Sequence, residues 1–319
     1  MPVPFRLDRR RLLALGAALA AGGAGVVRPG SAAAAEPLPL ERVADGVFVY
    51  RAPYELIAPA NDGAIANMTL VVGGEAAAVV DTGNSRLSGE RMLAAVRAVT
   101  DRPLRYVINT HMHPDHTLGN AAFAGEGVRF VGHHKLPRAL SLRSETYLAQ
   151  ANRLLGAEAE GTRIVLPDLL VEDRLALDLG GRALQLEAHP TAHTDNDLTV
   201  LDSATGTWIM GDLLFVGHIP TLDGSLQGWL ALLDELTARP AARAVPGHGP
   251  ASVAWPQAVA AERAYLDGLR ADVRRIIAEG RPMSAAPALV RPSEREQWAL
   301  FDEFNARNAI AAYHEFEWE

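Results

Sequence analysis

The sequence predicts a layered α/β (α+β) domain. Three observations point there: short apolar strands dominate the first part of the chain, strands and helices then alternate, and potential metal ligands recur where predicted strands end. Residues 47–50 (VFVY) read as a strand. Residues 67–72 and 76–80 read as two more, joined at Gly73-Gly74, and Asp81-Thr82-Gly83 ends the third. Residues 88–99 have helical spacing, with Met92, Leu93, Val96 and Val99 on one face. Residues 105–109 form a short buried strand, and the chain leaves it at Thr110 as a loop. Strands follow at 128–132, 163–166, 175–179 and 183–188, with a helix over 135–155. Residues 198–202 and 207–210 make a hairpin turning at Gly206. A helix over 225–237 and a strand over 242–245 complete the domain, and amphipathic helices over 256–279 and 294–312 extend it.

The 319 residues are 49% hydrophobic and 21% charged, a globular composition with enough apolar mass for a core. The net charge of -8 gives no sign of the basic patch a nucleic-acid binder would carry, so no nucleic-acid partner is expected. There is no cysteine, which excludes disulfides, a thiolate nucleophile and a cysteine metal ligand. Any metal has to be held by His, Asp or Glu.

Residues 1–35 read as a twin-arginine-type signal peptide. Arg9, Arg10 and Arg11 precede a weakly apolar Ala/Leu/Gly run, and Ala32 to Ala35 offer a small-residue cleavage site. The run is short and rich in Gly and Ala, which argues against a permanent membrane helix. These expectations place the mature chain in the periplasm or outside the cell, free of the membrane. The remaining residues divide into a domain over 36–255 and a C-terminal helical extension over 256–319.

The chemistry centres on His111-Met112-His113-Pro114-Asp115-His116, four ligand-type residues within six positions after a strand. Imidazole and carboxylate suit zinc and similar metals. Neighbouring side chains on an extended loop diverge, so His111 and His113 are expected to face one metal and Asp115 and His116 a second. One loop cannot complete either shell. His193, Asp212 (in Met210-Gly211-Asp212) and His248 (in Pro246-Gly247-His248-Gly249) each follow a predicted strand and are the expected complement.

This ordered set, H-x-H-x-D-H followed by His, Gly-Asp and Gly-His, resembles the metallo-β-lactamase superfamily over about residues 40–255. The resemblance implies a four-layer αββα sandwich with the site at one edge of its two sheets. It implies that His111, His113 and His193 hold one metal, that Asp115, His116 and His248 hold another, and that Asp212 bridges both. It also implies two Zn2+ ions, with iron or manganese as substitutes, and makes Asp81 a carboxylate that orients ligand imidazoles. The stretches Asn109 to Asn120, His193 to Thr199, Gly211 to Phe215, Leu222 to Trp229 and Asn305 to Tyr313 are similar to the quinoprotein relay system zinc metallohydrolase branch. That similarity implies a functional link to a quinoprotein dehydrogenase.

The activity implied is hydrolysis of an ester, thioester or amide-type bond in a small molecule by a metal-bound hydroxide, with Asp115, Asp212 and His218 as catalytic residues. Neither a G-x-S-x-G motif nor a cysteine offers a covalent route. Asn196 is a further donor candidate, with a turn-capping role the favoured reading. Trp229 is a pocket or core residue, His133 and His134 are structural or solvated, and His314 lies on the surface. Alternative readings are hydrolysis of β-lactams, oxidation at a single iron, and a non-catalytic metal-binding accessory protein of a periplasmic dehydrogenase. The loops near 54–66, 135–160 and 213–230 are expected to shape the substrate pocket.

Overall fold

The computed structural model describes residues 35–125 and 127–319. The signal-peptide expectation falls almost wholly outside that set. Seven strands form one sheet in sequence order: β1 (Leu40–Ala44), β2 (Val47–Tyr50), β3 (Met68–Val72), β4 (Ala77–Val80), β5 (Leu104–Ile108), β6 (Arg129–His133) and β7 (Leu169–Val171). The second sheet has the order β12-β11-β10-β9-β8, from β8 (Arg174–Asp178), β9 (Ala183–Ala188), β10 (Leu198–Asp202), β11 (Thr207–Phe215) and β12 (Arg243–His248). The helices are α1 (Arg86–Val99), α2 (Pro114–Thr117), α3 (Leu136–Leu155), α4 (Leu226–Thr237), α5 (Val259–Ala278), α6 (Ala286–Leu289) and α7 (Phe301–Phe316). Among the described residues no helix is long and apolar enough to cross a membrane.

The layering follows from side-chain alternation. In β3 and β4, Met68, Leu70, Ala77 and Val79 face Met92, Ala95 and Val96 of α1. Their neighbours Val71, Ala78 and Val80 face the other way and pack, with Ile108, against Leu184, Leu186, Leu198, Val200 and Ile209 of the second sheet. The outer face of that sheet puts Trp208, Met210 and Leu214 under α4, α5 and α7. Both faces of the central strands are buried, so they read as nearly continuous apolar runs. The result is the expected helix–sheet–sheet–helix sandwich, and the C-terminal helices belong to its outer layer.

Four local expectations are corrected. Residues 163–166 form no strand: β7 occupies the edge of β6, from Val131↔Leu169 to His133↔Val171, so the preceding segment has no ladder to join. Ile164 and Val165 bury themselves against helix-side clusters instead. The predicted helix over 294–312 is two pieces, a 3-10 turn at Pro292–Gln297 and then α7. They are separated because Ala299 bonds the loop at Gly217 and Ile219, and because Leu300 takes a left-handed φ of 60°. The strand predicted at 207–210 continues to Phe215. Gly211, at a left-handed φ of 55°, lets it bulge and carry on beside β12. Residues 114–117, expected as loop, make the single helical turn α2.

Candidate metal centre

The loop from Asn109 to Asn120 leaves β5 at the edge where both sheets end. A buried amide network fixes it. Asn109 Nδ2 donates to the His116 carbonyl at 2.8 Å, and Asn120 Nδ2 donates to Asn109 Oδ1 at 2.7 Å. Leu198 N–H donates to the Thr110 carbonyl at 2.7 Å, which ties the loop to the second sheet. The opposite rim is tied by Asn67, whose Nδ2 donates to the Pro246 carbonyl at 2.9 Å beside the turn bearing His248. The glycine of Pro246-Gly247-His248 is required there, because a Cβ on Gly247 would collide with Asp212 Oδ1.

All seven expected ligands converge. His111, His113, His193 and Asp212 form one set, and Asp115, His116 and His248 the other. In the first set, His113 Nδ1 lies 3.0 Å from His111 Nε2 and 3.1 Å from His193 Nε2, and Asp212 Oδ2 is 3.7 and 3.5 Å from the latter two nitrogens. In the second, Asp115 Oδ2 lies 3.6 Å from His116 Nε2 and 3.3 Å from His248 Nε2. Asp212 spans both sets, with Oδ1 3.2 Å from His116 Nε2 and Oδ2 3.5 Å from His248 Nε2. Ligands at ~2.0–2.1 Å around a tetrahedral metal sit ~3.3 Å apart, and these separations bracket that value.

Two further features fit a cation. His116 Nε2 and Asp212 Oδ1 are fully buried with no hydrogen-bond partner, a costly state unless something binds them. The outer ring nitrogens, in contrast, are occupied. His116 Nδ1 pairs with Asp81 Oδ2 at 2.8 Å, His113 Nε2 with Asp223 Oδ2 at 3.1 Å, and His193 Nδ1 with the Thr221 carbonyl at 2.7 Å. His111 Nδ1 lies 3.0 Å from Thr110 Oγ1, which itself donates to Asp81 Oδ2 at 2.8 Å. These acceptors hold the ring proton on the outer nitrogen and turn the inner lone pair toward the ligand set. The residues are therefore capable of binding metal ions.

Electrostatics separates the sets when no cation is bound. Burial pushes His193 down to about 3, and burial together with the His116 charge lowers His111 well below the usual imidazole range. Burial also opposes charge on His248, but the Asp212 and Asp115 carboxylates raise it to about 9. His116 is raised likewise by Asp212, Asp81 and Asp115 against the same burial penalty.

His113, Asp115, Asp212 and His248 form the floor of a cavity of about 740 Å³, with His111, His116 and His193 buried beneath them. Its walls come from residues 55–57 and 65, one face of α3, the 212–223 segment, and α7. These are the three expected loop regions, joined by the C-terminal helix. His218 lines it, with its ring 4.9 Å from that of His248, and its Nδ1–H donates to the Ile219 carbonyl at 2.6 Å. Trp229 is core: its ring packs edge-on at 5.3 Å behind His193. Asn196 is buried beside the His193 turn, donating from Nδ2 to Asp195 Oδ1 at 2.7 Å. His133 is buried away from the ligands against the His189 carbonyl, and His134 stacks on it. His314 is exposed and pairs with Glu317. Sequence reasoning missed the outer partners Thr221 and Asp223. Their only local signal is a polar turn, Thr221-Leu222-Asp223-Gly224, and it says nothing of His113, which lies 110 residues away.

Residues 61–248, more than half of the chain, match the sequence pattern of the metallo-beta-lactamase superfamily. The chain belongs to that superfamily. The ligand loop, the aspartate that spans both sets and the final histidine all lie within the matched region. A linear primary-alkylsulfatase from Pseudomonas sp. (strain ATCC 19151) is 42% identical over 48 residues, which is 15% of this chain and 9% of that protein. The inverting sec-alkylsulfatase Pisa1 from Pseudomonas sp. superposes with a TM-score of 0.65 at 16% identity, over 87% of this chain and 50% of its own. A metallo-beta-lactamase from Pontibacter korlensis gives 0.58 at 19% identity, over 72% of this chain and 99% of its own. The chain thus spans half or less of the alkylsulfatases it matches, and nearly all of that lactamase. At these identities the superpositions show the shared metallo-beta-lactamase fold.

Proposed function

We propose that this protein is an exported zinc-dependent metallohydrolase that holds two Zn2+ ions and cleaves an ester, thioester or amide-type bond in a small molecule. The observation that carries it is the convergence of seven donors in two sets that share Asp212. His111, His113 and His193 would hold one ion, Asp115, His116 and His248 the other, and Asp212 both. Such ions supply an activated water near neutral pH and polarise the oxygen under attack.

The chain's own residues do the rest. Asp115 is the most open carboxylate of the floor, at 15% side-chain exposure, and accepts a hydrogen bond from an attacking water to aim it. Asp212 fixes the spacing of the two sets. His218, with its Nδ1–H committed to the Ile219 carbonyl, presents Nε2 as an acceptor in its neutral form. Burial favours that form, pushing the imidazole down to about 4. The apolar wall from Ile57, Ile65, Leu300 and Phe304 limits competing water. Export is supported by the paired arginines and small-residue run of residues 1–35, and the link to a quinoprotein dehydrogenase by the stretches named above.

Hydrolysis of an alkyl sulfate ester is a second reading, favoured by the short local identity to the alkylsulfatase. The test is metal analysis of the purified chain together with a panel of a thioester, nitrocefin and decyl sulfate. Two zinc per chain and turnover of one panel member, both lost on Asp212→Ala, are expected. One iron per chain, or two zinc with no turnover, would sink the hydrolase assignment.

A further inference from the structure

Outside the ligand sets, the cavity has one wall whose polar side chains have no partner among the described residues. On α3, Arg143, Thr146, Tyr147, Gln150 and Arg153 all line the pocket, at the spacing that places them on one helical face. Arg143 and Tyr147 are one turn apart. Tyr147 is 9% exposed, yet its hydroxyl makes no hydrogen bond among the described residues. The residue lines the cavity, and its hydroxyl, not among the fully enclosed partnerless atoms, is left to bond with whatever enters there. Arg143 makes no ion pair among the described residues, although it is close enough for its charge to act on Tyr147 and on Asp223, the partner of His113. The pair therefore sits on the His113 side of the floor, where a substrate's reacting end would lie.

The opposite wall differs. Glu303 and Arg307 of α7 neutralise each other at 3.0 Å, and Phe304 and Leu300 add apolar surface beside them. Asp223 and Asp115, the carboxylates nearest α3, are matched by His113 and by His248 and His116. Two guanidiniums, of Arg143 and Arg153, and the Tyr147 phenol thus remain without partners among the described residues on one wall, with Arg143 one turn from Tyr147 and apolar side chains across the cavity.

We propose that Arg143 and Tyr147 form a receptor for an anionic group carried next to the bond that is cleaved, so that the substrate is an amphiphile with an acidic head and an apolar tail. This rests on the hydrolase reading for the word substrate, but not for the binding. A guanidinium and a hydroxyl on adjacent turns can donate together to one carboxylate or sulfo group, a charge-assisted contact stronger than a neutral one. The tail then lies along Leu56, Ile57, Ile65, Leu300 and Phe304. Burial raises Tyr147 above the usual phenol range, which keeps it a donor at every working pH. The acidic chain elsewhere repels anions, which makes this local positive charge selective.

The test is calorimetric titration of the purified, metal-loaded chain with octanoate, heptane-1-sulfonate and octan-1-ol, three probes with the same heptyl tail and no bond a hydrolase can cleave. At least one anion is expected to bind about tenfold more tightly than the alcohol. Arg143→Ala removes that preference, Tyr147→Phe reduces it about three- to fivefold, and Arg143→Lys restores part of it, all leaving octan-1-ol within about twofold. Which anion leads tells a carboxylate head from a sulfur-oxygen head. The proposal is overturned if neither anion outbinds the alcohol, or if the preference survives Arg143→Ala with the melting temperature unchanged. Repeating the titration after metal removal keeps the two readings apart. An Arg143-dependent preference in a chain that hydrolyses nothing would refute the hydrolase and leave the receptor standing, whereas turnover without the preference would do the reverse.

Discussion

The two ligand sets at the cavity floor are similar in chemistry and unlike in support. Asp115, His116 and His248 lean on the two sheets: His116 is oriented by Asp81, at the end of β4, and His248 ends β12, which Asn67, just before β3, ties to the first sheet. His111, His113 and His193 lean mainly on residues that come late in the chain. Thr221 and Asp223 accept from His193 and His113, and the loop carrying them is fastened to α7. Asn308 does the fastening: its Oδ1 accepts from Leu222 N–H at 3.0 Å, and its Nδ2 donates to the Pro220 carbonyl at 2.6 Å and to the Tyr265 hydroxyl at 2.9 Å. One set is thus built by the sandwich itself and the other is completed by the C-terminal extension. The connection between them is Asp81, which reaches His111 through the Thr110 hydroxyl.

This contrast is breakable by two substitutions. Removing an outer partner of a ligand histidine costs ~10–100-fold in metal affinity. Asp81→Ala is expected to weaken both sites, the second by that full factor and the first by less. Asp223→Ala is expected to weaken the first alone. Competition with a chromophoric chelator resolves the two affinities. Equal loss at both sites in Asp223→Ala would mean the sets are not separately supported.

A smaller effect sharpens the same point. Asn308→Ala leaves Leu222 N–H and the Pro220 carbonyl without their partner in a buried place, a cost of ~1–3 kcal/mol. Much of that cost falls on the loop that carries Thr221 and Asp223. A lower melting temperature with a several-fold weaker first site and an unchanged second site is expected. If melting falls with both affinities intact, α7 holds the fold and not the centre.

How much of this was legible in the sequence follows from how local each signal is. The seven ligands were legible because metal chemistry restricts residue types and strand ends restrict positions: His111 to His116 is a dense cluster, and Asp212 and His248 each follow a glycine that the close approach demands. The layers were legible because β3 and β4 alternate between two buried faces. Asp223, Thr221 and Asn308 were not, since each acts across at least 28 positions on a partner that no local pattern names. The strand expected at 163–166 failed for a related reason. Its apolar residues were real core residues, but a strand needs a free neighbouring edge, and β7 had taken it. The pocket-facing stripe of α3 reads in sequence as the ordinary solvated face of a helix. Only the cavity opposite it gives that face another meaning.

The smallest expected effect lies behind the centre, where the extension meets β11. Glu262 of α5 is fully buried; its Oε1 accepts from Phe215 N–H at 3.0 Å and its Oε2 has no partner. Burial raises this carboxyl well above its usual range, the Phe215 bond opposes the rise, and the Asp212 charge adds to it. For an acid whose folded pKa is raised, the unfolded state ionises first as pH rises. Stability is then greatest below the unfolded value near 4.5 and declines from there up to the folded pKa. Glu262→Gln keeps an oxygen for Phe215 N–H and cannot ionise. The variant is therefore expected to melt close to the parent near pH 5 and higher than it near pH 8, by on the order of a few degrees. A pH-independent difference would mean that the carboxyl ionises over the same pH range in the folded and unfolded states. A lower melting temperature at pH 8 would mean that the charged form has a partner where α5 meets β11. In that case the extension would support His248 from behind through Phe215, whose ring stacks on it at 5.3 Å, and the second set would no longer rest on the two sheets alone.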